Sequence, residues 1–388
     1  MAFLVALGPP KIDALRRRWK ADSGFAAGKI VASADGMAVL ADRRLGTRWS
    51  ADRSCLLLGD LFSAGSGTPA PPVLPGLARP ADLGPFLSRY WGSYILFCRF
   101  GPGRHAALRD PSGALPLYRT IVDGVHCYLD NAAEAAALGI SGDSIDTDFL
   151  RHWLAFPFLR TARTGHASVE EILPGEMECV EAGRSVRTAL WTPRPFIDKA
   201  RQVGHFGEAA RLLRGRLIDT VPAIAAASRP FALQLSGGLD SSIICAVLGA
   251  AGIPFDAINY FTPSPDGDER RFARAAADAA GAPLTECAAR PADDIDPVLP
   301  RSFRPLPNLA LRPLFRTLDE VSRERGACAL VDGTGGDNLQ GSHASAPCQA
   351  PVKLKVKGAK RKSKIGPSST NKPPGAARLV DDDTRCAI

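Results

Sequence analysis

Phe231-Ala-Leu-Gln-Leu-Ser-Gly-Gly-Leu-Asp-Ser-Ser242 decides the fold of the C-terminal half of this 388-residue chain. Phe231 to Leu235 is a short apolar strand, Ser236 to Gly238 breaks it, and Ser241 to Leu248 continues as an apolar helix through Ile243, Ile244, Val247 and Leu248. A strand, a glycine turn and a helix start bring backbone N–H groups together around one point. Gly237 and Gly238 allow dihedrals closed to other residues and let the backbone approach an anion. The helix start adds unpaired N–H groups and the positive end of a dipole. Ser236, Ser241 and Ser242 supply hydroxyls, and Asp240 supplies a hard oxygen ligand suited to Mg²⁺. The Gly-Lys-Ser/Thr of a Walker A loop is missing, so this loop grips phosphate without a lysine.

The neighbouring sequence repeats the strand–helix alternation. Helical spacing runs over Phe206 to Ile218, with Phe206, Ala210, Leu213 and Leu217 on one face. Strands are expected at Phe255 to Phe261, Leu284 to Cys287 and Ala327 to Val331. Helices are expected at Asp268 to Ala280, stopped by Gly281, and at Leu311 to Arg325, stopped by Gly326. Such alternation predicts a parallel sheet with right-handed crossovers. A second glycine-rich strand exit, Val331-Asp-Gly-Thr-Gly-Gly-Asp-Asn338, then places Asp337 beyond a strand's carboxyl end, as Asp240 is. Both can face one crevice and share a metal ion. Gly333 and Thr334 belong to this exit.

Residues 1–195 read differently. Short apolar segments at Ile30 to Ala32, Met37 to Leu40, Cys55 to Leu58, Tyr94 to Phe100, Ala106 to Leu108 and Val125 to Leu129 are separated by turns, with a helix near Ala81 to Tyr90. This spacing suits antiparallel sheets in a two-layer sandwich. Trp191-Thr-Pro-Arg-Pro195 marks a boundary, because the prolines remove donors and stiffen the chain. Met1 to Pro10 is apolar but lacks the basic start and cleavage site of a secretory signal.

Composition narrows the function. The formal net charge is +8 and 45% of residues are hydrophobic, which fits a globular chain. Residues 339–388 hold ten Lys and Arg against three Asp, so nearly all of the net charge lies in that tail. The body is close to neutral, and no nucleic-acid partner is expected. The tail's Lys353 to Pro374 stretch lacks aromatic residues and is expected to be disordered, the product of a frameshift near Leu339 or a natural basic tail. No apolar run is long enough for a membrane span. The nine Cys form no CxxC pair, which argues against a zinc site or a disulfide framework and makes a reducing, cytoplasmic setting the expectation. The six His show no metal-ligand spacing.

The Ser236–Ser242 string resembles the PP-loop of ATP pyrophosphatases, and its distance from Asp337 resembles the asparagine synthetase-like pattern. The N-terminal half fits the same family: Tyr90-Trp-Gly-Ser-Tyr-Ile-Leu-Phe97, Leu108-Arg-Asp-Pro-Ser-Gly-Ala-Leu-Pro-Leu-Tyr118 and Ile172-Leu-Pro-Gly-Glu176 stand in the order found in its glutamine amidotransferase half. The resemblance implies an α/β protein. Its first part, residues 1–195, would be a degenerate class II glutamine amidotransferase-like (Ntn-type) αββα sandwich. Residues 205–338 would be an incomplete parallel α/β PP-loop (adenine nucleotide alpha hydrolase-like) domain, and 339–388 a basic tail. ATP and Mg²⁺ are the implied cofactors, with Asp240 and Asp337 as metal ligands and, with Thr334, the catalytic set. Leu235, Ser236, Gly237, Gly238, Asp240, Ser241, Ser242, Asn259 and Gly333 are the implied nucleotide contacts.

Two departures refine this. The family's amidotransferase half uses an N-terminal Cys, whereas this chain begins Met1-Ala2. Ala2 has no nucleophilic atom, so glutamine hydrolysis is not expected. The second loop usually reads Gly-Glu-Gly, whereas Thr334 stands here. GTGGDN and Gly267-Asp-Glu-Arg-Arg-Phe-Ala273 resemble the cyclases that close lasso-peptide macrolactam rings. Relatives of that kind imply a precursor peptide as substrate and a leader-peptide protease as partner, and the alternatives are aspartate as substrate for asparagine synthesis or an inactive remnant. The resemblance ends near Asn338, which predicts poor solubility or inactivity.

Overall fold

The computed structural model describes residues 3–7, 28–32, 36–42, 45–65, 69–70, 73–133, 135, 138–140, 144–157, 159–198, 202–261, 268–288, 302–305 and 312–334. In chain order the strands are β1 (Phe3–Leu7), β2 (Gly28–Ala32), β3 (Met37–Asp42), β4 (Thr47–Trp49), β5 (Cys55–Ser63), β6 (Tyr90–Gly101), β7 (Arg104–Arg109), β8 (Tyr118–Val122), β9 (Val125–Leu129), β10 (Glu170–Glu171), β11 (Glu176–Glu181), β12 (Arg184–Ala189), β13 (Phe231–Gln234), β14 (Asp256–Phe261), β15 (Leu284–Ala288) and β16 (Ala329–Val331). The helices are α1 (Leu83–Arg89), α2 (Thr147–Ala155), α3 (Phe206–Ala227), α4 (Leu239–Ala250), α5 (Arg270–Ala280) and α6 (Arg312–Glu324).

The expected antiparallel sandwich is present. One six-stranded sheet has the order β10-β8-β9-β1-β3-β2, and a second has β12-β11-β7-β6-β5-β4. Alternate residues fill three layers, as a period of two requires. Phe3, Val5, Leu7, Val39, Leu56, Leu58, Ile95 and Phe97 pack between the sheets. Leu4, Ala6, Leu40 and Leu129 face outward under Leu138, Val169 and Phe303. Leu57, Leu96 and Leu108 face outward under Leu83 and Phe86 of α1.

Strand β1 sits inside its sheet, between β9 and β3, and all five of its residues are buried. The apolar start of the chain is therefore a core strand. It carries no alternation signal because both of its faces are covered. Strands β11 and β12 also lie outside the sequence expectations. Their charged residues hide the pattern, yet the turn between them, Ala182 (φ 49) and Gly183 (φ 79), has the paired positive φ of a tight hairpin.

The turn that resembles the amidotransferase half is a buried junction. Arg109, with 0% exposure, donates from Nη1 to Glu171 Oε1 and to the Ile172 carbonyl, both at 2.8 Å. Its Nε reaches the Leu115 carbonyl and its Nη2 the Gly113 carbonyl, each at 2.8 Å. Asp110 accepts from the Tyr94 and Ser112 amides. Gly113 (φ +63) rests against Pro174, where a Cβ would come within 2.5 Å of the proline ring. Glu171 also takes Arg160 and Arg304. Burial alone would raise its carboxyl, but the guanidiniums outweigh burial and hold it below the usual range.

The C-terminal sheet is parallel, in the order β15-β14-β13-β16. Val221 and Ala225 of α3, Cys245 and Leu248 of α4, and Ala273 and Ala277 of α5 cover one face. Leu314, Leu318 and Val321 of α6 cover the other. Helix α3 runs past the expected end at Ile218 and through Pro222. An internal proline costs a helix about 3 kcal/mol, and the packing of Ala223 and Ala225 beside it keeps the helix intact. Helix α5 ends as expected at Gly281, which is left-handed (φ 67). Among the described residues no helix is long and apolar enough to cross a membrane.

Two buried imidazoles, His105 on β7 and His126 on β9, meet between the antiparallel sheets with ring centroids 5.4 Å apart. Burial pushes His105 down to about 4, and His126 adds to the shift. Burial and then Arg119 lower His126, against Glu178. An unfolded His titrates near 6.5. The unfolded chain therefore takes up protons between these values that the folded one refuses, and stability falls as pH drops through that window. Asp130 opposes this: burial lifts it to about 6 from 3.8, so its contribution is present at low pH and is lost as pH rises through about 6. The substitution His105→Gln removes the His105 share and leaves His126 and Asp130 in place. From pH 7 to pH 4.5 the thermal midpoint of the natural protein should fall relative to that of the variant; parallel curves would show that His105 is not the group that titrates.

Candidate functional site

The C-terminal strand order reverses between β13 and β16. The connection from β13 runs to one side, through β14 to β15, and β16 is added on the other side. In open α/β sheets the crevice outside the carboxyl ends of two such strands is where ligands bind. A cavity of about 250 Å³ lies there, lined by Gln234, Ser236, Gly238, Leu239, Asp240, Ser241, Asp332, Gly333 and Thr334. This is near the small end of ligand pockets, a size that suits a phosphate group more than a whole nucleotide.

One side of the cavity is the turn between β13 and α4. Gly238 is the cap residue of α4, and no side chain caps the helix. The first N–H groups of a helix have no partner within it, so this end presents donors and the positive end of the dipole. The Gly238 amide donates to Ser236 Oγ at 3.2 Å, and the Ser236 and Ser241 hydroxyls lie 3.0 Å apart. The Ser241 and Ser242 hydroxyls donate to the Gly238 carbonyl at 3.3 and 2.7 Å. Three serines thus fix the shape of the turn.

Two glycines are demanded by close backbone approach. Gly237 has φ +94, and a Cβ there would come within 2.7 Å of the Glu269 carbonyl oxygen and 3.0 Å of the Ala273 amide. The phosphate-type turn therefore rests on the start of α5. Gly333 lies on α4 itself: its Cβ would be 2.7 Å from the Ser241 amide nitrogen and 3.0 Å from the Asp240 carbonyl carbon. The second glycine-rich exit is packed backbone to backbone against the first turn of α4.

The structure brings most of the expected site residues to this place, in different roles. Ser236, Gly238, Asp240, Ser241, Gly333 and Thr334 line the cavity. Leu235 is buried beneath it, and its amide donates to the Ile258 carbonyl at 2.8 Å. Asn259 is 1% exposed, and its Nδ2 donates to the carbonyls of Leu235, at 2.7 Å, and Ser236, at 3.3 Å. It ties β14 to the turn from behind. Asp337 lies outside the described residues, as does the Ala2 start. The GDERRFA segment, described from Asp268 onward, spends its charges on its own frame: Asp268 accepts both Nε and Nη2 of Arg270, which holds that carboxyl down to about 2. The Arg270 guanidinium also lies 3.9 Å from the centre of the Phe261 ring.

Gln234 and Asp332 belong to the cavity and were not among the expected site residues. Asp332 directly follows β16, and one of its carboxylate oxygens accepts the Thr334 amide at 2.9 Å. Its signal in the sequence was its place at a strand's carboxyl end, the feature that singled out Asp240. The cavity thus holds two carboxylates beside a helix N-terminus. Mg²⁺ is commonly held by one or two carboxylates together with substrate phosphates, and Asp240 and Asp332 fit that donor set. Among the described residues no group of three or more His, Cys, Asp or Glu could hold a metal by itself.

Residues 212–369 match the asparagine synthase family. The match begins inside α3, takes in the whole crevice, and continues past Leu339, beyond the point where the resemblance read from the sequence ends. No curated protein sequence matches the chain. Two solved structures align loosely over 86% of it at 10% identity. One is described as the allosteric regulatory enzyme of purine biosynthesis, with 89% of that chain covered and a TM-score of 0.33. The other is glutamine phosphoribosylpyrophosphate amidotransferase from B. subtilis complexed with ADP and GMP, with 90% covered and a TM-score of 0.34.

The crevice depends on backbone contacts that a methyl group disrupts. Gly333→Ala and Gly237→Ala should each weaken nucleotide binding by about tenfold, since overpacking against backbone costs about 1–3 kcal/mol. Gly84→Ala, where a Cβ meets nothing within 4 Å, should leave binding unchanged. Titration of the three purified variants with ATP checks this, and equal affinities would move the site elsewhere.

Proposed function

We propose that this chain is an ATP-dependent, amide-forming ligase that works through an acyl-adenylate. The observation that carries the reading is the uncapped start of α4, which itself carries Asp240, facing Asp332 across one crevice, inside the stretch that matches the asparagine synthase family. The α4 amides would bind the pyrophosphate portion of ATP while a substrate carboxylate attacks the α-phosphorus. An amine then attacks the activated carbonyl, AMP leaves, and an amide remains. Asp240 and Asp332 would hold the Mg²⁺ that neutralises pyrophosphate as it departs. Asp337 is proposed as a further ligand from its place in the same glycine-rich exit. The protein's contribution is positioning and charge stabilisation.

Within that class we favour macrolactam closure in a ribosomal peptide. Thr334 stands on the cavity wall where asparagine synthetases usually carry an acidic residue, and the GTGGDN form resembles lasso-peptide cyclases. The acyl donor would be an Asp or Glu side chain of a precursor peptide, and the acceptor that peptide's own N-terminal amine. A leader-peptide protease as partner and a reducing, cytoplasmic setting belong to the same proposal. The second reading, asparagine formation from aspartate and free ammonia, is supported by the description of the matching family.

The two separate on product. The full chain is incubated with ATP and Mg²⁺, either with a peptide bearing a free N-terminus and an internal acidic residue, or with aspartate and ammonium. AMP release with a peptide product lighter by one water is expected. AMP release only with aspartate selects the second reading. Asp240→Asn should lower either turnover by about 10² or more. Tight ATP binding with no pyrophosphate released under any condition would refute ligase activity.

A further inference from the structure

Strands β5 and β6 pair antiparallel with Cys55 opposite Cys98. The neighbouring opposed residues, Ser54 and Arg99, are joined by a backbone hydrogen bond: the Arg99 amide donates to the Ser54 carbonyl at 2.8 Å. Opposed pairs alternate between hydrogen-bonded and non-hydrogen-bonded positions along an antiparallel ladder. Cys55 and Cys98 therefore occupy a non-hydrogen-bonded position, where Cα atoms stand about 4.5 Å apart and side chains come closest. A disulfide spans Cα separations of about 4.4–6.8 Å. Both side chains point to the same outer face of the sheet, into the layer with Leu57, Leu96 and Ala106. The Ser54 hydroxyl lies 3.8 Å from Cys55 Sγ. All seven cysteines among the described residues are free thiols, and of these only Cys55 and Cys98 face each other across a strand register.

We propose that Cys55 and Cys98 form an oxidative modification site that a hydroperoxide converts to an intramolecular disulfide. Cys55 is the attacking sulfur, because it adjoins the exposed turn at 51–53. The adjacent Cys98 thiol, then the Ser54 hydroxyl, hold its thiol below the ordinary range against burial, whereas burial raises that of Cys98. Its thiolate attacks one peroxide oxygen, the O–O bond breaks, and with a proton the leaving oxygen becomes the first water. Cys55 is then a sulfenic acid. Cys98, losing its proton, attacks Cys55 Sγ; the S–S bond forms, the S–O bond breaks, and the departing hydroxide takes that proton as the second water. The two thiols supply the two electrons that reduce the peroxide. Both sulfurs are fully buried, so the reaction proceeds through local opening of the cover that includes Leu74 and Leu77, more slowly than at exposed Cys328.

The full chain is treated with hydrogen peroxide, remaining thiols are alkylated in denaturant, and the unreduced digest is mapped by mass. A peptide pair linked through Cys55 and Cys98, lighter by two hydrogens and separated by a reductant, is expected. Its yield should exceed by about tenfold that from protein oxidised in urea, where nothing holds the pair in register. Cys98→Ala should abolish the link and leave Cys55 as a sulfenic acid trappable by a dimedone-type reagent. Recovery of both cysteines alkylated after Cys328 has been oxidised, or equal yields folded and in urea, would overturn the proposal.

Discussion

The C-terminal half depends on one helix that starts without a side chain to satisfy its first amides. A Ser, Asp or Asn at the cap position would occupy a donor and close the site; glycine leaves it open at a cost of a few tenths of a kcal/mol. Gly238 is that residue, and the three nearby serines turn their hydroxyls to its amide and carbonyl, holding the turn in shape. The remaining geometry protects this opening. Glu269, just before α5, and Ala273 of α5 press on Gly237 from one side, Gly333 presses on α4 from another, and the Asn259 side chain holds the turn from below. Because the approaches at Gly237 and Gly333 are backbone to backbone, neither position has room for a side chain.

The N-terminal half depends on a buried charge in the same way. Taking Arg109 and Glu171 out of water is expensive, and such a pair contributes little net stability, but removing one partner strands the other and costs about 3–5 kcal/mol. Arg109 meets this by spending its donors on three carbonyls as well as on the carboxylate. The result locks the 109–118 turn onto the 172–175 turn, which explains why the two motifs occur together in the sequence. Their residues are joined by structure, and none of them lies on the crevice of the other half.

The turn, the helices and the parallel sheet were legible because their signals are local: apolar periodicity, glycine at forced dihedrals, and serine beside a helix start. Strand β1 was not, because a strand buried on both faces carries no alternation. Strands β11 and β12 were not, because Glu178 is drawn inward by Tyr128 and Arg119, so a core position reads as a surface one. At the crevice the sequence pointed to the loop that lines it but could not separate a residue that faces the cavity from one that supports it. Leu235 directly follows β13 as Asp332 follows β16, and Asn259 lies within β14, yet Leu235 and Asn259 are both buried, and only three-dimensional register distinguishes them.

The two halves are joined through a segment that neither periodicity nor motif marked. Ser302 to Pro305 comes after β15 and before α6, yet Phe303 is buried in the N-terminal layer against Tyr118, and its carbonyl accepts the Gly165 amide at 2.7 Å. Beside it Arg304 joins Glu171 and the carbonyls of Thr161 and Arg163. This anchor stands at the head of the crossover that leads through α6 to β16, whose end delivers Asp332, Gly333 and Thr334 to the crevice. The carboxylate that closes the Arg109 junction therefore also fixes where that crossover begins. Without that anchor the second wall of the crevice has no fixed origin.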